Sequence, residues 1–346
     1  MKRLFGLGLA ALVLVAAATD SAFAQLDKVF GPKGIPVSGT ITAMSPEKVT
    51  IDVQGNPRDF AVNEIVRLTL GDEPAELTKS RELIQNGQLE QAFDELKNVK
   101  TDSITRDVVK QDIDYYRAYC QARLALSGNG NAATADDAMF AFVRNNRGSY
   151  HVYEATELLG NLAVAQGKFD DAAKRFSFLG KAPWPDFRLR ATVNEARALS
   201  AQKKFPEALE KYNAILESGD TNPEATRQKM FASVGRAVCL AETGKGEEGV
   251  QILEKIIKDN DPKDIALFAR TYNALGACHL KAQRSKEARL AYLHVDLLFS
   301  ADAESHAEAL FHLQKLWSEA NKADRALAAR NLLKERYAGS IWTKGL

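Results

Sequence analysis

Gly167-Lys168-Phe169-Asp170-Asp171-Ala172 is the stretch whose reading decides the fold, with Leu159-Gly160 before it and Phe176 after it. The spacing predicts a helix ending near Gln166, a turn at Gly167, and a second helix through Ala172 and Phe176. Gly160 and Ala172 are small enough to let two helix backbones approach closely. Leu159 and Phe176 are large enough to fill the space beside them.

The same pattern returns along the chain. Gly87-Gln88-Leu89-Glu90-Gln91-Ala92 is an early copy. Lys203-Lys204-Phe205-Pro206-Glu207-Ala208 and Gly244-Lys245-Gly246-Glu247-Glu248-Gly249 follow the opening stretch. Gln283-Arg284-Ser285-Lys286-Glu287-Ala288 and Asn321-Lys322-Ala323-Asp324-Arg325-Ala326 complete the series. A less regular unit lies around Ser127 to Asn131, with its helix resuming through Asp136-Asp137-Ala138. The small turn residues thus stand at 92, 138, 172, 208, 249, 288 and 326. Breaks at Ala182-Pro183-Trp184-Pro185, Asp220-Thr221-Asn222-Pro223 and Asp261-Pro262 fall between units, where the chain must reverse.

These units resemble the tetratricopeptide repeat, a helix-turn-helix of about 34 residues. The resemblance runs from about residue 75 to 340 and implies a mainly α solenoid of about seven helix pairs. Phe142 to Ser149 and Leu333 to Ser340 are similar to a link found in tetratricopeptide proteins of the bacterial envelope.

Before the helices, from Val37 to Leu70, the period changes to two. Val49, Ile51 and Val53 alternate with Thr50, Asp52 and Gln54, as a half-buried strand requires. Ser38 to Met44, Arg58 to Val62 and Ile65 to Leu70 bring the expected strands to about four. The segment is expected to form a small β-meander or to curl into an SH3-like or Sm-like barrel, which it loosely resembles. It serves either as a packing cap for the helices or as a ligand module.

Lys2 and Arg3, the apolar run Leu4 to Ala18, and Ala22-Phe23-Ala24 have the order of a cleavable signal peptide. The organisation expected is therefore signal peptide 1–24, β module 25–73, helical repeat domain 74–340 and tail 341–346. Export to the periplasm or cell envelope follows, with secretion as the alternative and no stable membrane span after cleavage. The formal charge is +1, and Lys2, Arg3 and Asp20 account for all of it. A neutral mature chain offers no electrostatic reason to expect nucleic acid.

Cys120, Cys239 and Cys278 are expected to be small core residues, with a Cys239–Cys278 bridge as the alternative. His151, His279, His294, His306 and His312 match no HExxH or CxxC-type pattern, and no Gly-x-Ser-x-Gly is present. No catalytic set, metal site or cofactor is expected. Trp184, between two prolines, is the most exposed of the three tryptophans by context.

The resemblance also implies a concave surface lined by the first helix of each unit, which holds extended peptides or partner helices. Stepping back from each small turn residue places Glu157, Asn161, Arg190, Asn194, Arg197, Arg270, Asn273 and Lys281 there. Arginine and asparagine can hold peptide backbone or carboxylates through directed hydrogen bonds. The reading is an exported, non-enzymatic scaffold for a protein or peptide ligand. The rival is a cell-wall or polysaccharide binder that uses the β module.

Overall fold

The computed structural model describes residues 26–346, and the expected signal segment lies outside the described residues. Five strands come first: β1 Asp27–Phe30, β2 Pro36–Met44, β3 Lys48–Val53, β4 Asn56–Ala61 and β5 Arg67–Thr69. They form one antiparallel sheet in the order β4-β3-β2-β1-β5, with β4 and β5 at its edges. The sheet bends where the register shifts between Ile41 and Ala43 of β2.

The expectation of about four strands misses β1, and one buried aspartate explains why. Asp27 faces inward beside Val29, so an acid occupies an apolar position of the alternation. Its carboxylate accepts hydrogen bonds from Ile41 N at 2.7 Å and Gly71 N at 2.9 Å. Both Asp27 oxygens also accept from Arg106, at 2.9 Å each. Burial alone would push the Asp27 pKa up, but Arg106 and the two backbone donors outweigh it and hold the group below its ordinary value.

Fourteen helices follow, packed consecutively in pairs. They are α1 Ala75–Gln85 with α2 Leu89–Lys97, α3 Asp107–Leu126 with α4 Ala132–Asn145, and α5 Val152–Ala165 with α6 Phe169–Leu179. Next come α7 Pro185–Ala201 with α8 Phe205–Leu216, and α9 Pro223–Glu242 with α10 Gly246–Asp259. The last pairs are α11 Ile265–Lys281 with α12 Ser285–Leu298 and α13 Ala303–Glu319 with α14 Ala323–Arg336. A single turn of helix, α15 Ile341–Lys344, ends the chain.

Each of the seven intra-pair turns is made the same way. One residue takes a left-handed backbone: Gly87, Gly128, Gly167, Lys203, Gly244, Gln283 or Asn321. The next N–H then donates back to a carbonyl of the helix just ended. Lys168 N reaches Ala163 O at 2.9 Å, Lys204 N reaches Leu199 O at 3.0 Å, and Arg284 N reaches His279 O at 2.8 Å. This is the Schellman closure, which satisfies carbonyls that the helix end would otherwise leave unpaired. Glycine adopts that conformation freely, whereas Lys203 and Gln283 adopt it at a cost of about 1 kcal/mol each.

The close approach inferred at Gly160 is present. A Cβ there would run into the ring of Phe176, which is fully buried. In the second pair the buried small residue is Ala135 rather than Ala138, which is only half-buried. Asn131 sets that register by capping α4, its side-chain oxygen accepting from Ala133 N at 2.9 Å and Thr134 N at 3.0 Å. The three cysteines are free and buried, and burial pushes the Cys120 and Cys278 thiols up to about 12.

The sheet is welded to the first helices. Val29, Val49, Ile51 and Leu68 share one core with Leu77, Leu96, Val109 and Ile113. At the same junction Arg81, 6% exposed, pairs with Glu73 at 2.5 Å and with Asp112, 1% exposed. The other Asp112 oxygen lies 3.1 Å from His151 Nε2, and the Tyr115 ring stacks on His151 with centroids 3.5 Å apart. Glu73 in turn accepts from Leu70 N at 2.9 Å, so the strand end, α1, α3 and the start of α5 are tied together.

The far end of the chain also turns back. Gly339 N donates to Gly128 O at 2.6 Å, in the loop between α3 and α4. Neither glycine has room for a side chain at that crossing, since a Cβ on Gly339 would lie 2.8 Å from Gly128 O. The tail, residues 341–346, contains α15, whose Trp342 packs on Phe311 and His312 of α13. The superhelix is therefore closed on itself at this contact, and its concave side is a half-open cavity.

Candidate functional site: an arginine-lined inner cavity

The first helices of five successive pairs contribute to one cavity of about 220 Å³. Tyr119 and Arg123 come from α3, Glu157 and Asn161 from α5, and Arg190, Asn194 and Arg197 from α7. Arg227 and Phe231 come from α9 and Arg270 from α11. Six of the eight expected contact residues thus share one wall: Glu157, Asn161, Arg190, Asn194, Arg197 and Arg270. On α7 the three polar residues recur at helical spacing, so a single helix face presents them together.

Asn273 and Lys281 do not join them. Asn273 is buried against α13, where its Nδ2 donates to Ser305 O at 2.9 Å and to Glu308 Oε2 at 3.0 Å. Lys281 stands at the last turn of α11 and pairs with Glu242 at 2.7 Å. The stepping-back rule fixes helix phase but not which neighbour covers a residue. The α11–α13 contact takes up Asn273.

Within the cavity, Glu157 is the local anchor. Asn194 Nδ2 donates to Glu157 Oε1 at 2.8 Å. Arg190 Nε lies 3.0 Å from Glu157 Oε2 without hydrogen-bond alignment, which makes that contact electrostatic only. Arg190 is also stacked over the Phe187 ring at 4.2 Å. Asp264 caps α11 through Leu267 N at 3.1 Å and pairs with Arg227 at 2.6 Å. Phe231 carries both Arg227, 4.9 Å from the ring centroid, and Arg270, 5.2 Å from it. Such stacking holds guanidinium planes in place before any ligand arrives.

The charge is not balanced. Five arginines and two glutamates line the cavity, and of the arginines only Arg227 is answered by a close aspartate among the described residues, Asp264. Arg197 and Arg270 share one carboxylate supplied by α13, Glu304, at 3.3 and 3.8 Å. Asp302 sets the position of Glu304 by capping α13, accepting from Ser305 N at 3.0 Å. The Arg270 pKa is held below its ordinary value, first by the Arg197 charge beside it and then by burial. Burial would raise the Glu304 pKa, but Arg197, Arg270 and Arg123 together bring it below the usual carboxylate value. One turn on, Glu308 is pushed up to about 7 by burial and by the Glu304 charge.

Sequence reasoning missed Arg123, Arg227 and Glu304. Arg123 was obscured by the shifted register of the second unit. Glu304 reaches Arg270 because α13 packs beside α11, and it reaches Arg197 of α7 across the curve of the superhelix, which no local motif records. Trp184 is half-buried, as are Trp317 and Trp342, with its ring against Tyr153 and Phe187, centroids 5.9 and 5.1 Å away. It pins its loop. Among the described residues no cluster of three or more His, Cys, Asp or Glu is arranged to hold a metal ion, and no helix is long and apolar enough to cross a membrane.

The tetratricopeptide repeat family model matches residues 157–223 and 193–265, the stretch that supplies most of the cavity wall. A solved tetratricopeptide repeat protein from Parabacteroides merdae is 15% identical, with a TM-score of 0.50 over 75% of this chain and 91% of that chain. A Rap protein complexed with competence and sporulation factor is 15% identical, with a TM-score of 0.48 over 78% of this chain and 77% of that one. NprR in complex with its cognate peptide NprX is 12% identical, with a TM-score of 0.48 over 78% and 80%. No curated protein matches the chain. The helical array is a tetratricopeptide-repeat fold, whose stacked units create the concave surfaces on which such proteins bind other proteins.

Proposed function

We propose that this protein is an exported, non-enzymatic scaffold of the bacterial cell envelope that holds a segment of a partner protein in its inner cavity. The observation that carries this reading is the convergence of polar side chains from α3, α5, α7, α9 and α11 on one concave wall. A structural wall would be expected to balance its charges, whereas this one keeps an excess of arginine. Arginine and asparagine present directed donors suited to peptide carbonyls and carboxylates. Export rests on the signal-like residues 1–24 and on the envelope-type repeat resemblance.

The test is affinity capture from envelope extract with the wild-type chain and an Arg190→Ala/Arg197→Ala/Arg270→Ala variant. A partner recovered by the wild type and lost with the variant is expected. Identical recovery by both chains would overturn the reading. Cell fractionation checks the compartment: the chain is expected in the periplasmic or envelope fraction in its shortened form.

A further inference from the structure

Glu304 is an unusual member of the inner network. It belongs to α13, 107 residues from Arg197 in sequence, and it is the carboxylate that meets both Arg197 and Arg270. Its contacts, 3.3 and 3.8 Å, are long beside Arg227–Asp264 and Lys211–Glu195, both 2.6 Å. Although it lies deep among the helices, its side chain is 53% exposed to the water of the cavity, so a weakly held carboxylate occupies the guanidinium pair. Arg123 adds a third cation to the same field. Phe231 beneath Arg270 keeps that guanidinium from turning away if the carboxylate leaves.

We propose that Glu304 is an internal competitor: it occupies the Arg197–Arg270 pair in the free protein, and an acidic side chain of the partner segment displaces it. The proposal rests on the reading of the cavity as a protein-binding site and names the chemistry of its occupant, an extended segment rich in aspartate or glutamate. Charge complementarity selects that occupant: Glu157 answers Arg190 and Asp264 answers Arg227, which leaves Arg123, Arg197 and Arg270 around the single carboxylate of Glu304. The cavity admits a few side chains rather than a folded chain. Releasing Glu304 costs little, since exposed ion pairs are weak, and the freed carboxylate is re-solvated. A like-charged competitor lowers affinity for acidic ligands while rejecting neutral ones, and this sets a threshold for binding.

The experiment measures fluorescence anisotropy of a labelled Gly-Ser peptide carrying spaced glutamates, blocked at both ends so that only side chains bear charge. The glutamine counterpart and inorganic phosphate as competitor form the other arms. The full chain, Glu304→Gln and Arg197→Ala/Arg270→Ala are compared, with thermal melts confirming that each is folded. Glu304→Gln is expected to bind the glutamate peptide about tenfold more tightly than wild type, with the double alanine variant losing it. The glutamine peptide is expected to bind none of them, and phosphate to compete only at millimolar levels. Unchanged or weaker binding by Glu304→Gln overturns the proposal, as does equal binding of both peptides. If affinity capture still finds an arginine-dependent partner while the glutamate peptide fails, the acidic occupant is refuted and the scaffold reading stands.

Discussion

Two of the networks of arginine and carboxylate among the described residues are built to opposite ends. At the junction of sheet and repeats, Glu73, Arg81, Asp112 and His151 are nearly sealed from water and tightly paired. In the inner cavity, Arg190, Arg197, Arg270 and Glu304 are partly wet, loosely paired and short of negative charge. The same side chains therefore join two structural units in one place and remain available to a ligand in the other. What separates them is desolvation. A sealed pair cannot lose one member without stranding a charge, whereas a wet pair exchanges partners cheaply.

The largest expected effect is at the sealed junction. Asp112→Ala leaves Arg81 buried without its closest partner and is expected to cost about 3–5 kcal/mol in urea unfolding. Arg197→Ala in the cavity is expected to cost under about 1 kcal/mol. Equal losses at the two sites would erase the distinction.

pH sharpens the contrast. Burial would lower the His151 pKa, but hydrogen bonds and charge from Asp112 and Glu154 raise it above 6.5. A raised folded-state pKa gives stability that is complete below about pH 6.5 and lost as pH rises through the folded value. Asp112 runs the other way: despite burial, Arg81 and His151 hold it below 3.8, so its contribution is present above that value and lost in stronger acid. Glu308, pushed up to about 7 from 4.5, adds stability at low pH that disappears as pH climbs through 7. Chemical denaturation across pH 4–8 should therefore show a decline towards neutral pH, and Glu308→Gln should remove its lower part while leaving the His151 portion. A Glu308→Gln curve that superimposes on wild type would contradict the assigned charge environment.

A smaller effect calibrates both networks because it touches neither. Lys203→Gly relieves a left-handed backbone in the α7–α8 turn and is expected to stabilise the chain by about 0.5–1 kcal/mol. The reverse change, Gly167→Ala, should destabilise by a similar amount, since that turn also needs φ of 72°. If either change altered ligand binding, turn geometry would be coupled to the cavity.

How far the sequence disclosed this arrangement depends on the range of the cause. Helix pairing was legible because each turn encodes itself locally: a left-handed residue, a back-bonded N–H and a small residue one turn later. Six of the eight inner-wall residues followed from helix phase alone. Asn273 was lost because burial by α13 is a matter of superhelical pitch. Glu304 was invisible because no local motif brings it to Arg197, 107 residues away on α7, together with Arg270 on α11. Strand β1 escaped because Asp27 stands where an apolar residue is expected, and only its four donors, drawn from three separate segments, make that tolerable.

The most direct test of the central claim places a photo-crosslinking amino acid at Asn161, on the cavity wall, and in parallel at Leu297, 72% exposed on α12, and at Val66, just before β5. Irradiation of intact cells is expected to give a discrete protein adduct from position 161 that disappears in the arginine triple variant, with none from 297 or 66. Adducts from position 66 or 297 alone, with position 161 silent, would contradict the claim that the inner cavity is where another chain is held.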